Sequence, residues 1–269
     1  MPASRSALTT IRAALVHAPA SLVDRPVELR RDLIASTFGL SRYAASSRTL
    51  YLDVPVRSIV GIIHRNFAPD ARTWRELLAR LHGNGWGPET LRYLESELGD
   101  ELFPAPAAGG GLRLQGWGGA LVCTNGVHRL VAGACWLAAR QGHDATFRKV
   151  RVKHFALREA AVAVMIEARR CGESVEALCN GDGVTVAIRT CTARRYRYWR
   201  LDGEAVAEVP APGGWLERLR RRVGVQTRVD RLAWEPVPPA VIDALADDGW
   251  LREQLDHPRY PEAPEAPPY

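Results

Sequence analysis

Among its five cysteines (Cys123, Cys135, Cys171, Cys179 and Cys191) the chain has no CxxC pair and no Cys/His pattern with metal-ligand spacing. A zinc or iron–sulfur site built on cysteine is therefore not expected, and the odd number argues against a secreted disulfide framework. The thiols read as buried small hydrophobes. No apolar run approaches the roughly 18 residues that a membrane-spanning helix requires, so no membrane contact is expected. In the N-terminal stretch MPASRSALTTIRAALVHAPA, Arg12 interrupts the short apolar patch. The spacing of Leu8, Ile11 and Leu15 fits an amphipathic helix better than a signal peptide, which makes a cytoplasmic location the expectation. Internal repeats are absent. Lysine is almost absent too, with only Lys149 and Lys153, so arginine supplies nearly all of the 36 basic residues. Against 30 acidic residues they leave a net charge of +6, an excess that favours an anionic partner.

What is present suffices for a globular core: 269 residues, 46% of them hydrophobic, with a mean hydropathy of −0.17. Residues 1–48 read as an N-terminal extension of two helices, the second starting near Asp24 and Pro26 and stopping at Gly39. TLYLDVPVRSIVGII (49–63) is rich in β-branched residues with Pro55 inside it, which predicts two short strand segments or an edge strand. PDARTWRELLARLHGNG predicts a helix opened by Pro69 or Asp70 and closed by Gly83. GPETLRYLESELGDEL predicts another, from about Pro88 to Gly99. After the loop PAPAAGGG (104–111), LRLQGWGGALVCT reads as a hairpin turning at Gly118-Gly119. From Gly126, the apolar positions Val127, Leu130, Val131, Ala134, Cys135 and Ala138 lie on one helical face that ends at Gly142. FRKVRVKHF alternates as a strand, and ALREAAVAVMIEARRCG reads as a helix. From about residue 176 to 256 a basic α+β region follows. It has strands across 183–209 that turn at Asp202-Gly203, a helix at GWLERLRRRVG, and one across PAVIDALADDGWLREQLD. The Pro-rich tail, 257–269, is expected to be disordered or clamped over the surface.

The segment CTNGVHRL (123–130) carries the chemistry. A helix N-terminus presents backbone N–H groups and the positive end of the helix dipole, both of which favour an anion. Gly126 allows a tight turn and close approach of a ligand, Thr124 and Asn125 are capping residues, and Val127 continues the cradle. His128 and Arg129 add donors, and an arginine can grip phosphate through two parallel bonds. Cations in a first helical turn are unfavourable unless a bound anion compensates them. A capped helix with a solvated Arg129 reads the same letters more plainly.

The order of elements resembles the ParB/sulfiredoxin-like superfamily, the domain known as ParB-like nuclease, over about residues 49–155. The strand motif Val54-Pro55-Val56-Arg57-Ser58-Ile59 leads to His64-Arg65, and Asn125-Gly126-Val127-His128-Arg129 opens the long helix. The resemblance implies an α+β fold: a ParB/sulfiredoxin-like core (49–175) with a small mixed sheet and helices, between the N-terminal helical and C-terminal α+β extensions. It also implies ATP or CTP as ligand, with Mg²⁺ held mostly by the phosphates. Nucleotide would be held by Arg65, Thr124, Asn125, Gly126, Val127, His128 and Arg129. Val127 stands where sulfiredoxins carry their catalytic cysteine, and residues 157–269 do not read as the helix-turn-helix and dimerisation tail of partition proteins. The expected function is therefore phosphoryl transfer to a small hydroxyl acceptor, or ATP hydrolysis, with His64, His128, Asp70 and Glu76 as catalytic candidates. Asp70 and Glu76 read equally well as a helix cap and a solvated helix face. The alternative is a DNA-binding or nuclease protein of plasmid or phage type that uses Arg194, Arg195, Arg197 and Trp199 in RTCTARRYRYWR. A catalytically inactive fold used for protein interaction is a third reading, and a homodimer is left open.

Overall fold

The computed structural model describes residues 6–29, 39–40, 47–63, 67–105, 109–179, 184–210 and 234–264. It is a mixed α+β protein with two five-stranded sheets, dividing into two compact units. The first unit comprises Met1–Leu29, Ser47–His154 and Asp247–Tyr269; the second comprises Arg30–Ser46 and Phe155–Ala246.

In the first unit the sheet order is β1-β5-β3-β4-β2. Strand β1 (Ser47–Pro55) alternates in burial, with Leu50, Leu52 and Val54 inward. It stops at Pro55, whose ring removes a ladder donor. A single 3-10 turn then leads into β2 (Ile59–Ile62), the two short segments expected from the proline. The hairpin β3 (Arg113–Trp117) and β4 (Ala120–Asn125) turns at Gly118-Gly119, and β4 also pairs in parallel with β2. Helices α1 (Ala7–Ala14), α2 (Ala20–Val23), α3 (Trp74–Ala79) and α4 (Pro88–Glu95) surround α5 (Val127–Gln141). Every residue of α5 from Arg129 to Ala138 is buried, not only the predicted apolar face. Its small residues are what allow neighbours to close in. A methyl group added at Gly133 would lie 2.4 Å from Cε1 of Phe147 and 3.0 Å from Cδ2 of Leu94.

Several boundaries differ from expectation for local reasons. Helix α3 starts at Thr73 rather than Pro69 or Asp70, because Thr73 and Glu76 form a reciprocal capping box. Asp24 caps no following helix. It sits at the end of α2 and pairs with Arg75 at 2.6 Å, while Pro26 and Glu28 bridge to Thr73 and Gly61. The 239–256 stretch is two helices, α7 (Pro239–Ala246) and α8 (Gly249–Asp256), separated at Asp247-Asp248. The Pro-rich tail is clamped, not loose, through residue 264. Ala263 N–H donates to the Thr49 carbonyl at 3.2 Å. Arg259 pairs with Asp53 at 2.8 Å, and the Tyr260 hydroxyl donates to Asp53 at 2.9 Å and Glu97 at 3.2 Å. This segment lies along β1, the edge of the sheet, and covers a strand that would otherwise offer unpaired backbone groups.

The second unit contains the antiparallel sheet β10-β6-β7-β8-β9 and the packed pair α6 (Glu159–Arg170) and α7. Strands β7 (Thr185–Cys191), β8 (Tyr196–Asp202) and β9 (Ala205–Val209) follow the expected run. Strands β6 (Ser174–Cys179) and β10 (Trp234–Pro236) were not anticipated; β10 is too short to show a period. The helix expected at GWLERLRRRVG lies outside the described residues, as does most of the one expected after Asp24.

Two predictions follow from this packing. Replacing Gly133→Ala gains about 1 kcal/mol of helix propensity but overpacks the core by roughly 1–3 kcal/mol, so a net loss is expected as a lower urea midpoint. An unchanged or higher midpoint would contradict the packing. His154, on β5 (Thr146–Phe155), has Nε2 buried without a hydrogen-bond partner. Burial, reinforced by the Arg48 charge, pulls its pKa down to about 4. The unfolded chain takes up this proton near pH ~6.5 and the folded one does not, so stability is full above that pH. It falls as the pH drops toward about 4, by on the order of 3 kcal/mol. Denaturant titrations of the wild type and His154→Gln should therefore diverge over this window, with the variant the flatter.

Candidate functional site: a cavity at the start of helix α5

Strand β4 is buried up to Cys123 and is anchored on both sides, by β3 and by β2. The chain then turns through Gly126, at φ +85° and ψ 32°, a left-handed conformation in which a side chain is strained. Helix α5 begins at once. Its first intrahelical bond from this turn is Leu130 N–H to the Gly126 carbonyl, 2.9 Å. The amides of Val127, His128 and Arg129 therefore lie ahead of the helical ladder. These three residues line a cavity of about 450 Å³. Thr124 to Arg129 form one part of its lining; His82, Asn84 and Trp86 form a second, and Phe103, Ala105, Gly109 and Ile63 complete it.

Arg129 is itself buried, at 6% exposure. Its Nη1 donates to the Gly110 carbonyl at 2.6 Å and its Nη2 to Gly109 at 3.0 Å, and the guanidinium lies 5.6 Å from the Phe103 ring centroid. Asn125 does related work, its Nδ2 donating to the Gly111 carbonyl at 2.7 Å. Neither side chain caps the helix, since Gly126 occupies the cap position. Thr124 instead donates to the Arg113 carbonyl at 3.2 Å. These are corrections to the simple cradle. Arg129 and Asn125 tie down the 109–111 backbone, and Arg129 contributes a fixed positive charge with part of its donor set already used.

The remaining predicted site residues divide clearly. His128 lines the cavity and is exposed, its ring 4.9 Å from that of Phe67 and tilted by 44°. His64 and Arg65 lie outside the described residues; Ile63, just before them, lines the cavity and donates to the Cys123 carbonyl at 2.9 Å. Asp70 is exposed and does not line the cavity. Glu76 is occupied by its capping box, accepting the N–H groups of Arg72 at 2.6 Å and Thr73 at 3.2 Å. Among the described residues no carboxylate lines the cavity and no cluster of metal-ligating side chains occurs. Cys123 is fully enclosed, and burial raises its thiol to about 12, so it offers no thiolate. The cavity residues that sequence reasoning missed are Ile63, His82, Asn84, Trp86, Phe103, Ala105 and Gly109. LHGNGW registered only as a helix stop, although its glycines signal an ordered turn, with Gly85 at φ +76°.

The predicted nucleic-acid residues belong to the second unit and also divide. Arg194 and Arg195 are exposed at the β7–β8 turn. Arg197 pairs with Glu173 at 2.9 Å and lies 5.0 Å from the centroid of Trp199, which is buried. Arg197 is thus engaged by a carboxylate and a ring of its own unit.

No protein-family model, curated protein or solved structure matches the chain.

At Gly126 an added Cβ would lie 2.6 Å from Arg129 Nε. Gly126→Ala is therefore expected to cost about 1–3 kcal/mol in strain and to loosen the Arg129 tie. Hydrogen exchange should then quicken across 109–113 before the rest of the unit, and unchanged exchange there would contradict the assignment.

Proposed function

We propose that this protein binds a nucleotide, ATP or CTP, at the start of α5 and transfers its terminal phosphoryl group to a small hydroxyl acceptor or to water. The observation that carries the reading is the left-handed turn at Gly126. It delivers the first-turn amides of a buried 15-residue helix to the edge of a cavity large enough for a ligand. The fixed charge of Arg129 and the absence of lining carboxylates among the described residues make that space favourable to an anion. Trp86, Phe103 and Asn84 add apolar and amide surface suited to a base or sugar. The resemblance to ParB/sulfiredoxin-like proteins in the order strand, Gly126 turn and helix points the same way.

In the proposed reaction His128 accepts the proton of the acceptor hydroxyl as its oxygen bonds to the terminal phosphorus. The bond from phosphorus to the bridging oxygen breaks, and the diphosphate leaves with the electron pair while the amides hold its charge. Asp70 and Glu76 have no part in this scheme. A divalent cation finds no carboxylate in the described lining, so the described residues do not build a protein-held Mg²⁺ site. Any such ion would have to be held by the phosphates and water, and no step is routed through it.

Fluorescent ATP and CTP analogues test the binding, and single-turnover assays with simple alcohols test the chemistry. His128→Ala is expected to weaken nucleotide binding by about tenfold at most and to slow turnover by about 10²-fold or more. Failure to retain either nucleotide would end this reading; retention without turnover in the wild type would reduce it to a binding protein.

A further inference from the structure

The sheet of the second unit bears an arginine–aromatic cluster that the cavity does not use. In an antiparallel ladder, directly paired residues share a face. The pairs Glu176–Arg189, Arg189–Tyr198, Cys191–Tyr196, Ala187–Arg200 and Leu178–Trp234 therefore belong to one side. On the other side Val175, Ala177, Ile188, Trp199 and Leu201 are buried. On the first side Leu178, Ala187 and Tyr198 are buried, but Tyr196 is 51% exposed and Arg200 is also exposed.

The cluster is held in place by its own contacts. The Arg189 guanidinium lies 5.1 Å from the Tyr196 centroid and 4.7 Å from that of Trp234. Its Nε donates to Glu176 at 2.5 Å, so this charge is neutralised. Tyr196 and Tyr198 are stacked at 6.3 Å with 29° between their planes. At the adjacent turn the Thr192 hydroxyl accepts the Arg194 and Arg195 N–H groups at 3.4 and 3.2 Å, which presents both arginines from an ordered backbone. Arg194, Arg195 and Arg200 make no ion pair with any described carboxylate, and Asp202 is the exposed acid on the same face.

We propose that this face of the sheet binds single-stranded nucleic acid running along β8, with a base stacked on Tyr196 and phosphates held by Arg194 and Arg195 at the turn and by Arg200 further along the strand. Charge complementarity selects a polyanion, and the exposed ring selects one whose bases are open. A duplex hides its base faces, whereas a single strand offers a π-face at every step. An acidic peptide would engage the arginines but leave the ring without a stacking partner. The surface differs from the set picked from the sequence, since Arg197 and Trp199 lie on the opposite face, where Trp199 is buried and Arg197 pairs with Glu173.

The test uses the full chain and a labelled oligothymidylate of about 16 nucleotides, with fluorescence anisotropy between about 50 and about 200 mM salt. Single strand should bind more tightly than the matching duplex. Tyr196→Ala should weaken binding about tenfold while Tyr196→Phe, which keeps the ring, binds as the wild type. Removing both Arg194 and Arg195 as alanines should lower the salt slope by about 1.4. The proposal is overturned if no oligonucleotide binds, if duplex binds equally well, or if Tyr196→Ala retains full affinity. Displacement by polyglutamate at equal charge, or by ATP, would also overturn it, reassigning the surface to acidic peptide or the oligonucleotide to the cavity. Because the wild-type comparison of single strand with duplex needs no variant, a misfolded mutant cannot mask the outcome, and ATP binding can fail without affecting it.

Discussion

The first unit depends on the enclosure of helix α5. Four helices and a sheet press on it, so its side chains must be small wherever a neighbour crosses, as at Ala132, Gly133, Ala134 and Ala138. Dense interiors tolerate little volume change, and the clash that a methyl at Gly133 would make with Phe147 shows how little room is left. A helix held on every side cannot slide or tilt, and its N-terminus is therefore fixed where β4 ends. The cavity inherits its position from this packing more than from any residue that lines it.

A second constraint follows from the first. Placing Arg129 in the first turn of a buried helix brings a charge into the interior, which is tolerable only if its donors are satisfied. The carbonyls of Gly109 and Gly110 satisfy two of them. The same bonds hold a glycine-rich backbone segment against the helix start, and Asn125 adds another tie at Gly111. The site is thus electropositive through a structural arginine and helix amides. Its exposed side-chain donors are His82 and His128, whereas Arg129 is buried and already bonded to the 109–110 backbone.

The second unit resolves its arginine excess differently. Arg189 and Arg197 are each given a carboxylate and an aromatic neighbour, Glu176 with Tyr196 and Trp234 for one, Glu173 with Trp199 for the other. Those pairs stiffen the sheet. Among the described residues, Arg194 and Arg195 at the β7–β8 turn and Arg200 further along β8 are exposed and make no ion pair with a described carboxylate.

The sequence by itself determined the strand–glycine–helix junction at 123–130, the proline break after Pro55, the hairpin at Gly118-Gly119 and the run of strands after residue 184. Each is a local consequence of residue type: a fixed φ, a freed φ, or a period of hydrophobicity. What only the tertiary structure decided is which polar groups meet. Thr73 displaced Asp70 as a cap because Glu76 lay three residues beyond it. Arg129 turned from ligand donor to internal tie because the 109–111 backbone folded over it, and Arg197 was claimed by Glu173, a partner 24 residues away. His82, Asn84, Trp86 and Phe103 came to line the cavity through the packing of segments distant in the chain. Hydrogen-bond and charge partners are set by distances in space, and no spacing along a chain encodes those until the core has closed.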